Sequence, residues 1–288
     1  MAEVTAQMVK ELRDKTGAGM ADCKKALVES DGDMKTAIEY LRKKGAASAA
    51  KRADKSSNEG VIVAKSSADK KSAAIVEINC ETDFVARNAQ FTTYAETVAE
   101  ALLNNDVASV DDLMKIAVDN DTIEGLHNEI LAKFSERIEI RRFEKLRTEG
   151  SIGDYIHAGS KLAVLVEVDA PDLSEASFAK VRDIAMQVAA MNPQFVDRSQ
   201  VNQETLDKEK EIYKQQAIEG GKKEDIAERI AQGKLEKFYT EQCLVEQPFV
   251  KDGAKTIADV LKEISQEAGR EVKALSFRRY FLGESTED

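Results

Sequence analysis

Between Val4 and Lys44 the apolar positions recur with a helical period, in three short runs separated by turn residues. Thr5 can cap a first helix that carries Met8, Val9 and Leu12 on one face. Thr16-Gly17-Ala18-Gly19 ends it, because two glycines permit positive φ and lower helix propensity. Met20, Cys23, Ala26 and Leu27 mark a second helix. Asp31-Gly32-Asp33 turns the chain, and Ala37, Ile38 and Leu41 form the buried face of a third. Such a unit is near the lower size limit for an independent core, so residues 1–45 read as a three-helix contact module. Residues 46–58, AASAAKRADKSSN, lack strong periodicity and read as a solvated linker, open to partial helix and to movement.

Beyond residue 58 the pattern repeats. Glu59-Gly60 returns as Glu149-Gly150, ninety positions on, and the same offset matches Ile62 with Ile152, Ala73 with Ala163, Val76 with Val166 and Glu77 with Glu167. Each copy has a Glu-Gly start, a turn, an apolar strand (SAAIVEIN or KLAVLVEVD) and a helix, at 91–103 and 175–190. Each also ends in a strand with a double arginine, Arg141-Arg142 and Arg278-Arg279. Those dipeptides lie 137 positions apart against an offset of 90, a surplus of 47 residues in the second copy. The surplus falls at about 202–240, where Leu206, Ile212 and Tyr213 can face Ile226, Ile230 and Leu235 across Gly220-Gly221. The expected fold is α+β: the three-helix module, subdomains 59–148 and 149–288, and an inserted antiparallel helical hairpin. A projecting hairpin suits a partner contact, a dimer contact or a tolerated insertion, and the pattern does not choose.

Composition narrows the chemistry. Across 288 residues, 42 Lys+Arg against 53 Asp+Glu give a net charge of −11, with 42% hydrophobic residues and no Trp. The acidic balance and scarce aromatics disfavour direct nucleic-acid binding, leaving at most a local basic patch. Two His and three separated Cys show no metal-ligand spacing, so no metal or cofactor is expected. The N-terminal sequence has neither signal-peptide nor transit-peptide character, and no apolar run approaches the ~20 residues that cross a bilayer. A cytoplasmic chain with reduced thiols, not associated with a membrane, is the expectation. There is no Walker loop, no dinucleotide fingerprint and no G-x-S-x-G elbow, so covalent enzyme chemistry is not expected.

One segment carries more than its neighbours: Glu77-Ile78-Asn79-Cys80-Glu81-Thr82-Asp83-Phe84-Val85-Ala86-Arg87-Asn88. A strand gives way to a helix here, so Thr82 can cap and Asp83 can favour the positive helix end. Phe84 either folds back as core or stands exposed beside a carboxylate, a shape suited to prying into another protein. The second copy reads Ala170-Pro171-Asp172-Leu173-Ser174-Glu175, so the duplicated fold does not require Thr-Asp-Phe-Val.

Thr16-Gly17-Ala18-Gly19-Met20-Ala21-Asp22-Cys23-Lys24-Lys25-Ala26-Leu27 and the Glu77–Asn88 segment resemble signatures of the elongation factor Ts family. Tyr155-Ile156-His157-Ala158-Gly159 and Gln247-Pro248-Phe249-Val250 extend the resemblance over residues 2–282. The resemblance implies a ubiquitin-associated-like N-terminal module and a guanine-nucleotide exchange factor for elongation factor Tu, a translation GTPase. It further implies that Thr82, Asp83, Phe84 and Val85 displace Mg²⁺ from the partner's nucleotide site. Lys10, Arg13, Met20, Lys24, Arg52 and His157 match the family's partner-contact positions; read without the family they are surface charge, core methionine and a turn histidine. A homodimer or a 2:2 complex stays open. Departures from the family are Ala21, where many members have Met, and Phe134-Ser135, where some have Ile-Gly. A third is the short acidic end after Leu282, where some members carry a further helix. The rival reading is a non-catalytic scaffold or chaperone-like binder; an enzyme built on His157 is weaker.

Overall fold

The computed structural model describes residues 4–52 and 55–284, so residues 53 and 54 of the expected linker and most of the acidic end lie outside the described residues. Helices α1 (Ala6–Thr16), α2 (Met20–Glu29) and α3 (Met34–Lys51) enclose Val9, Leu12, Cys23, Ala26, Leu27, Ala37 and Leu41. Thr5 caps α1 by accepting from Met8 N–H, and Gly17 closes it with φ 68°. Gly19 has φ −61°, so only one of the two glycines uses positive φ. Helix α3 continues to Lys51, through much of the segment expected to be a linker, because its alanine-rich run favours helix even without an apolar stripe.

The first copy comprises β1 (Glu59–Ser66), β2 (Ser72–Cys80), the single turn α4 (Asp83–Ala86), α5 (Ala89–Asn104), α6 (Val110–Met114), β3 (Ala117–Val118), β4 (Asp121–Thr122), α7 (Ile123–Phe134) and β5 (Glu139–Arg147). The second comprises β6 (Ser151–Ile156), β7 (Leu162–Val168), α8 (Glu175–Met191), α9 (Gln203–Glu219), α10 (Glu224–Gln242), β8 (Pro248–Phe249), β9 (Asp252–Thr256), α11 (Ile257–Ala268) and β10 (Ala274–Phe281). Each contains an antiparallel three-stranded sheet, ordered β1-β2-β5 and β6-β7-β10.

The registers repeat with the sequence. Val61 stands opposite Ile78, and Ser151 opposite Val168, ninety positions on in both strands. The repeated Glu-Gly has a steric cause: a Cβ on Gly60 would lie 2.2 Å from Ile78 O, and one on Gly150 1.9 Å from Val168 O. The double arginines, however, are not equivalent. Val76 opposes Phe143 and Val166 opposes Phe277, an offset of 134 against 90, so the surplus is 44 residues, not 47. Both terminal strands bulge at the equivalent place, skipping Arg141 in one copy and Leu275 in the other. Register follows the phenylalanines that pack on each helix-covered face, not the arginine dipeptide.

One apolar core lies between the first sheet and α5 and α7, another between the second sheet and α8 and α11. A third joins the two sheets through Ile62, Ile75, Ile152 and Leu165. Across that junction Ile62 N–H donates to Ser160 O at 2.7 Å and Ile152 N–H to Lys70 O at 2.8 Å, a reciprocal pair at the same offset. Fully buried Glu77 is compensated there by Arg142 Nε at 2.7 Å and Gly283 N–H at 3.0 Å. In the hairpin the seam is built from Ala217, Ala227, Ala231, Leu235 and Phe238, while Ile212 and Ile226 stand outside it. No helix among the described residues is long and apolar enough to cross a membrane.

Candidate functional site: the corner between β2 and α5

Strand β2 ends at Cys80, and two helix caps follow in quick succession. Thr82 is extended (φ −126°, ψ 150°) and its hydroxyl accepts from Val85 N–H at 3.4 Å. Asn88 then caps α5 through Gln90 N–H at 3.0 Å. Only one helical turn fits between them. Val85 and Ala86 point into the first core, and that choice sends Asp83 and Phe84 outward. Phe84 is 83% exposed, the most exposed large apolar side chain among the described residues. Asp83 pairs with Arg87 at 3.2 Å across the same turn. The capping role expected of Thr82 and the outward-facing aromatic therefore coexist.

Two carboxylates hold the corner from beneath. Glu136, just after α7, accepts Glu81 N–H and Thr82 N–H on one oxygen, each at 3.1 Å, and the Thr82 hydroxyl on the other at 2.7 Å. Glu81 in turn accepts Arg137 N–H at 2.6 Å and Arg52 Nε at 2.6 Å. The Arg52 guanidinium holds the Glu81 carboxyl down to about 2, well below the usual carboxylate range. Burial pushes the Cys80 thiol up to about 12, and its Sγ donates to Thr82 O at 3.2 Å. A neutral thiol of this kind is neither a ready nucleophile nor a metal ligand. No cluster of His, Cys, Asp and Glu among the described residues could hold a metal ion.

The second copy builds its corner differently. Asp172, equivalent to Thr82, adopts φ 54°, and Leu173 packs against the second core. The place of Asp83 is taken by Leu173, which turns toward the core, and the place of Phe84 by Ser174, an exposed residue that caps α8.

Of the remaining expected contact residues, Arg52 and His157 lie near this corner and the other four lie on the N-terminal helices. Arg52 is next to it, bonded to Glu81. His157 is exposed on the turn between β6 and β7, with Nδ1 3.0 Å from the Tyr155 hydroxyl. That turn lies at the corner's end of the sheets, since Lys161 bonds Glu59 at 2.8 Å and Glu59 stands opposite Cys80. Lys10, Arg13, Met20 and Lys24 are exposed on α1 and α2, and none of them bonds to the corner. Met20 is 49% exposed, so it is a surface residue and not the core methionine its type suggests. Sequence reasoning missed Glu81, Arg87 and Glu136. Arg87 had a visible signal, four residues after Asp83; Glu136 had none, being 54 positions from the threonine it holds. The Gln247-Pro248-Phe249-Val250 motif has a structural cause of its own: buried Gln247 accepts from Gln187 Nε2 at 3.1 Å.

The description "Elongation factor TS" belongs to the family model that matches residues 81–284, beginning at the corner itself. The chain is 48% identical over 288 residues to "Elongation factor Ts" of Prosthecochloris aestuarii, covering 98% of this chain and 100% of that one. It is 46% identical to the protein of the same name from Chloroherpeton thalassium (99% and 100% covered) and 44% identical to that of Clostridium perfringens (99% and 94%). With a corner, a duplicated α+β core and full-length relatives in agreement, the chain belongs to the elongation factor Ts family.

Proposed function

We propose that this protein is a guanine-nucleotide exchange factor for elongation factor Tu, acting in the cytoplasm by binding alone and without covalent chemistry. The observation that supports this most is Phe84, held almost fully in solvent on a one-turn corner. Seating a phenylalanine in a partner's pocket yields about 2 kcal/mol, equivalent to roughly a thirtyfold change in affinity. If that pocket opens only in the nucleotide-free GTPase, nucleotide affinity must fall by the same factor, because the coupling is reciprocal. Phe84 acts as the wedge, and Asp83 disturbs the groups that hold the partner's Mg²⁺. Without the cation the nucleotide phosphates are poorly neutralised, and GDP leaves faster so that GTP can bind. Thr82 and Val85 fix the turn. Lys10, Arg13, Met20 and Lys24 contact the GTPase from the separate module 1–45, with His157 and Arg52 at the rim of the main contact. Subdomains 59–148 and 149–288 then form the body of the factor, alone or in a 2:2 complex.

Release of a fluorescent GDP from elongation factor Tu tests this. Phe84→Ala should slow stimulated release more than about tenfold. Its exposure predicts a stability change within about 0.5 kcal/mol, so the fold survives. Unchanged release with Phe84→Ala and Asp83→Ala together would sink the wedge. Binding with no acceleration by the unaltered protein would favour a scaffold.

A further inference from the structure

The residues that hold the corner are not those that project from it. A single helical turn cannot sustain itself, since nucleation is unfavourable and α4 spans only Asp83–Ala86. Burial of Val85 and Ala86 fixes its far side. Its near side is fixed by Glu136, whose two oxygens take three hydrogen bonds from Glu81 and Thr82. One of those bonds uses the Thr82 hydroxyl proton. The hydroxyl lone pairs are thereby left to face Val85 N–H, which is the cap itself. The two loops are clasped reciprocally: Glu136 takes the amides of residues 81 and 82, and Glu81 takes the amide of Arg137.

We propose that Glu136 is a positioning residue for Phe84, fixing the α4 turn so that the aromatic reaches its partner already oriented. This rests on the exchange reading above in taking Phe84 as the acting group. Arg52, bonded to Glu81, carries the same hold to the end of α3. A corner ordered before contact does not have to lose that freedom on binding, so loss of the clasp should appear as slower exchange.

The chain has no Trp, so F84W places a single indole reporter at the corner. In the free protein, F84W/E136A should show larger nanosecond anisotropy loss than F84W, and the near-isosteric F84W/E136Q a smaller increase. In GDP release from elongation factor Tu at saturating factor, E136A should lower the rate about tenfold. In an F84A background it should add nothing further, because it acts through that side chain. A residue with only a general stabilising role would leave the losses multiplicative. Multiplicative losses, or unchanged indole anisotropy, would overturn the proposal. If E136A fails to fold, E136Q carries both readouts. If the unaltered protein does not accelerate GDP release, the exchange reading fails while the anisotropy still judges the clasp.

Discussion

Ser135 ends α7 in the left-handed conformation, with φ 54° and ψ 27°, one residue before Glu136. A side chain there costs about 1–2 kcal/mol relative to glycine. Glycine's greater freedom in the unfolded chain returns roughly 0.5–1 kcal/mol of that. Ser135→Gly should therefore raise stability by about 0.5–1 kcal/mol, read as a higher urea midpoint at unchanged slope. A lower midpoint would show that the serine side chain contributes more than its strain costs. The position illustrates which single residues the sequence made legible. A cap is a local event, so Thr82 and Thr5 could be read from their neighbours alone. Phe84 was legible only in part: residue type favours burial for any phenylalanine, the second copy's lack of Thr-Asp-Phe-Val pointed the other way, and Val85 and Ala86 taking the inward face turns it out. Glu136 was beyond reach for a different reason. Its partners come from another strand end, and nothing in Ser-Glu-Arg marks a clasp.

At the level of elements, the contact of α3 with α7 is the one most exposed to a small change. A Cβ on Gly45 would lie 2.5 Å from both Cα and N of Ala132, so the two helices touch backbone to backbone. Arg42 reinforces the contact through Glu129 and, at 2.9 Å, Asp121. In an exposed helix, glycine to alanine gains about 1 kcal/mol. Here overpacking of about 1–3 kcal/mol opposes it and reverses the sign. Gly45→Ala should lower the thermal midpoint, and a rise would show that α3 shifts freely over α7. The segment after residue 45, read as a linker open to partial helix, is helical as far as Lys51. Alanine propensity sustains helix through the run AASAAK without an apolar stripe, and polar bonds hold residues 55 and 57 beyond it. Asn79 Nδ2 donates to Ser57 O at 2.7 Å, and Arg137 Nη1 to Lys55 O at 2.7 Å. Those ties join residues far apart in sequence, so composition alone read the segment as loose. The hairpin's helices were legible, and Leu206, Tyr213 and Leu235 pack as the pattern indicated, but Ala217, Ala227 and Ala231 take seam places where it pointed to Ile212 and Ile226.

For the molecule as a whole, acid is the condition that separates its parts. His127 is buried between α5 and α7 with Nδ1 2.8 Å from the Tyr94 hydroxyl. Burial lowers its pKa from 6.5 to about 4. The unfolded chain takes up this proton first, so the stabilisation is complete above pH 6.5 and is lost as pH falls toward 4. The full loss is roughly 3 kcal/mol. Tyr94→Phe with His127→Leu removes both partners and leaves no orphaned group. Urea midpoints between pH 7 and 4 should flatten in that variant, and an unchanged slope would assign the effect elsewhere. Glu81 acts in a lower window, its contribution being lost as pH falls from 4.5 toward 2. The reciprocal bonds of Ile62 to Ser160 and Ile152 to Lys70 have a further consequence for every such experiment. The junction has the isologous form of a two-fold dimer, fused into one chain. The sequence twins Ile62 and Ile152 lie in one buried cluster at this junction. Substitutions at Ile62 and Ile152 are neighbours in energy despite their separation in sequence, and their effects will couple rather than add.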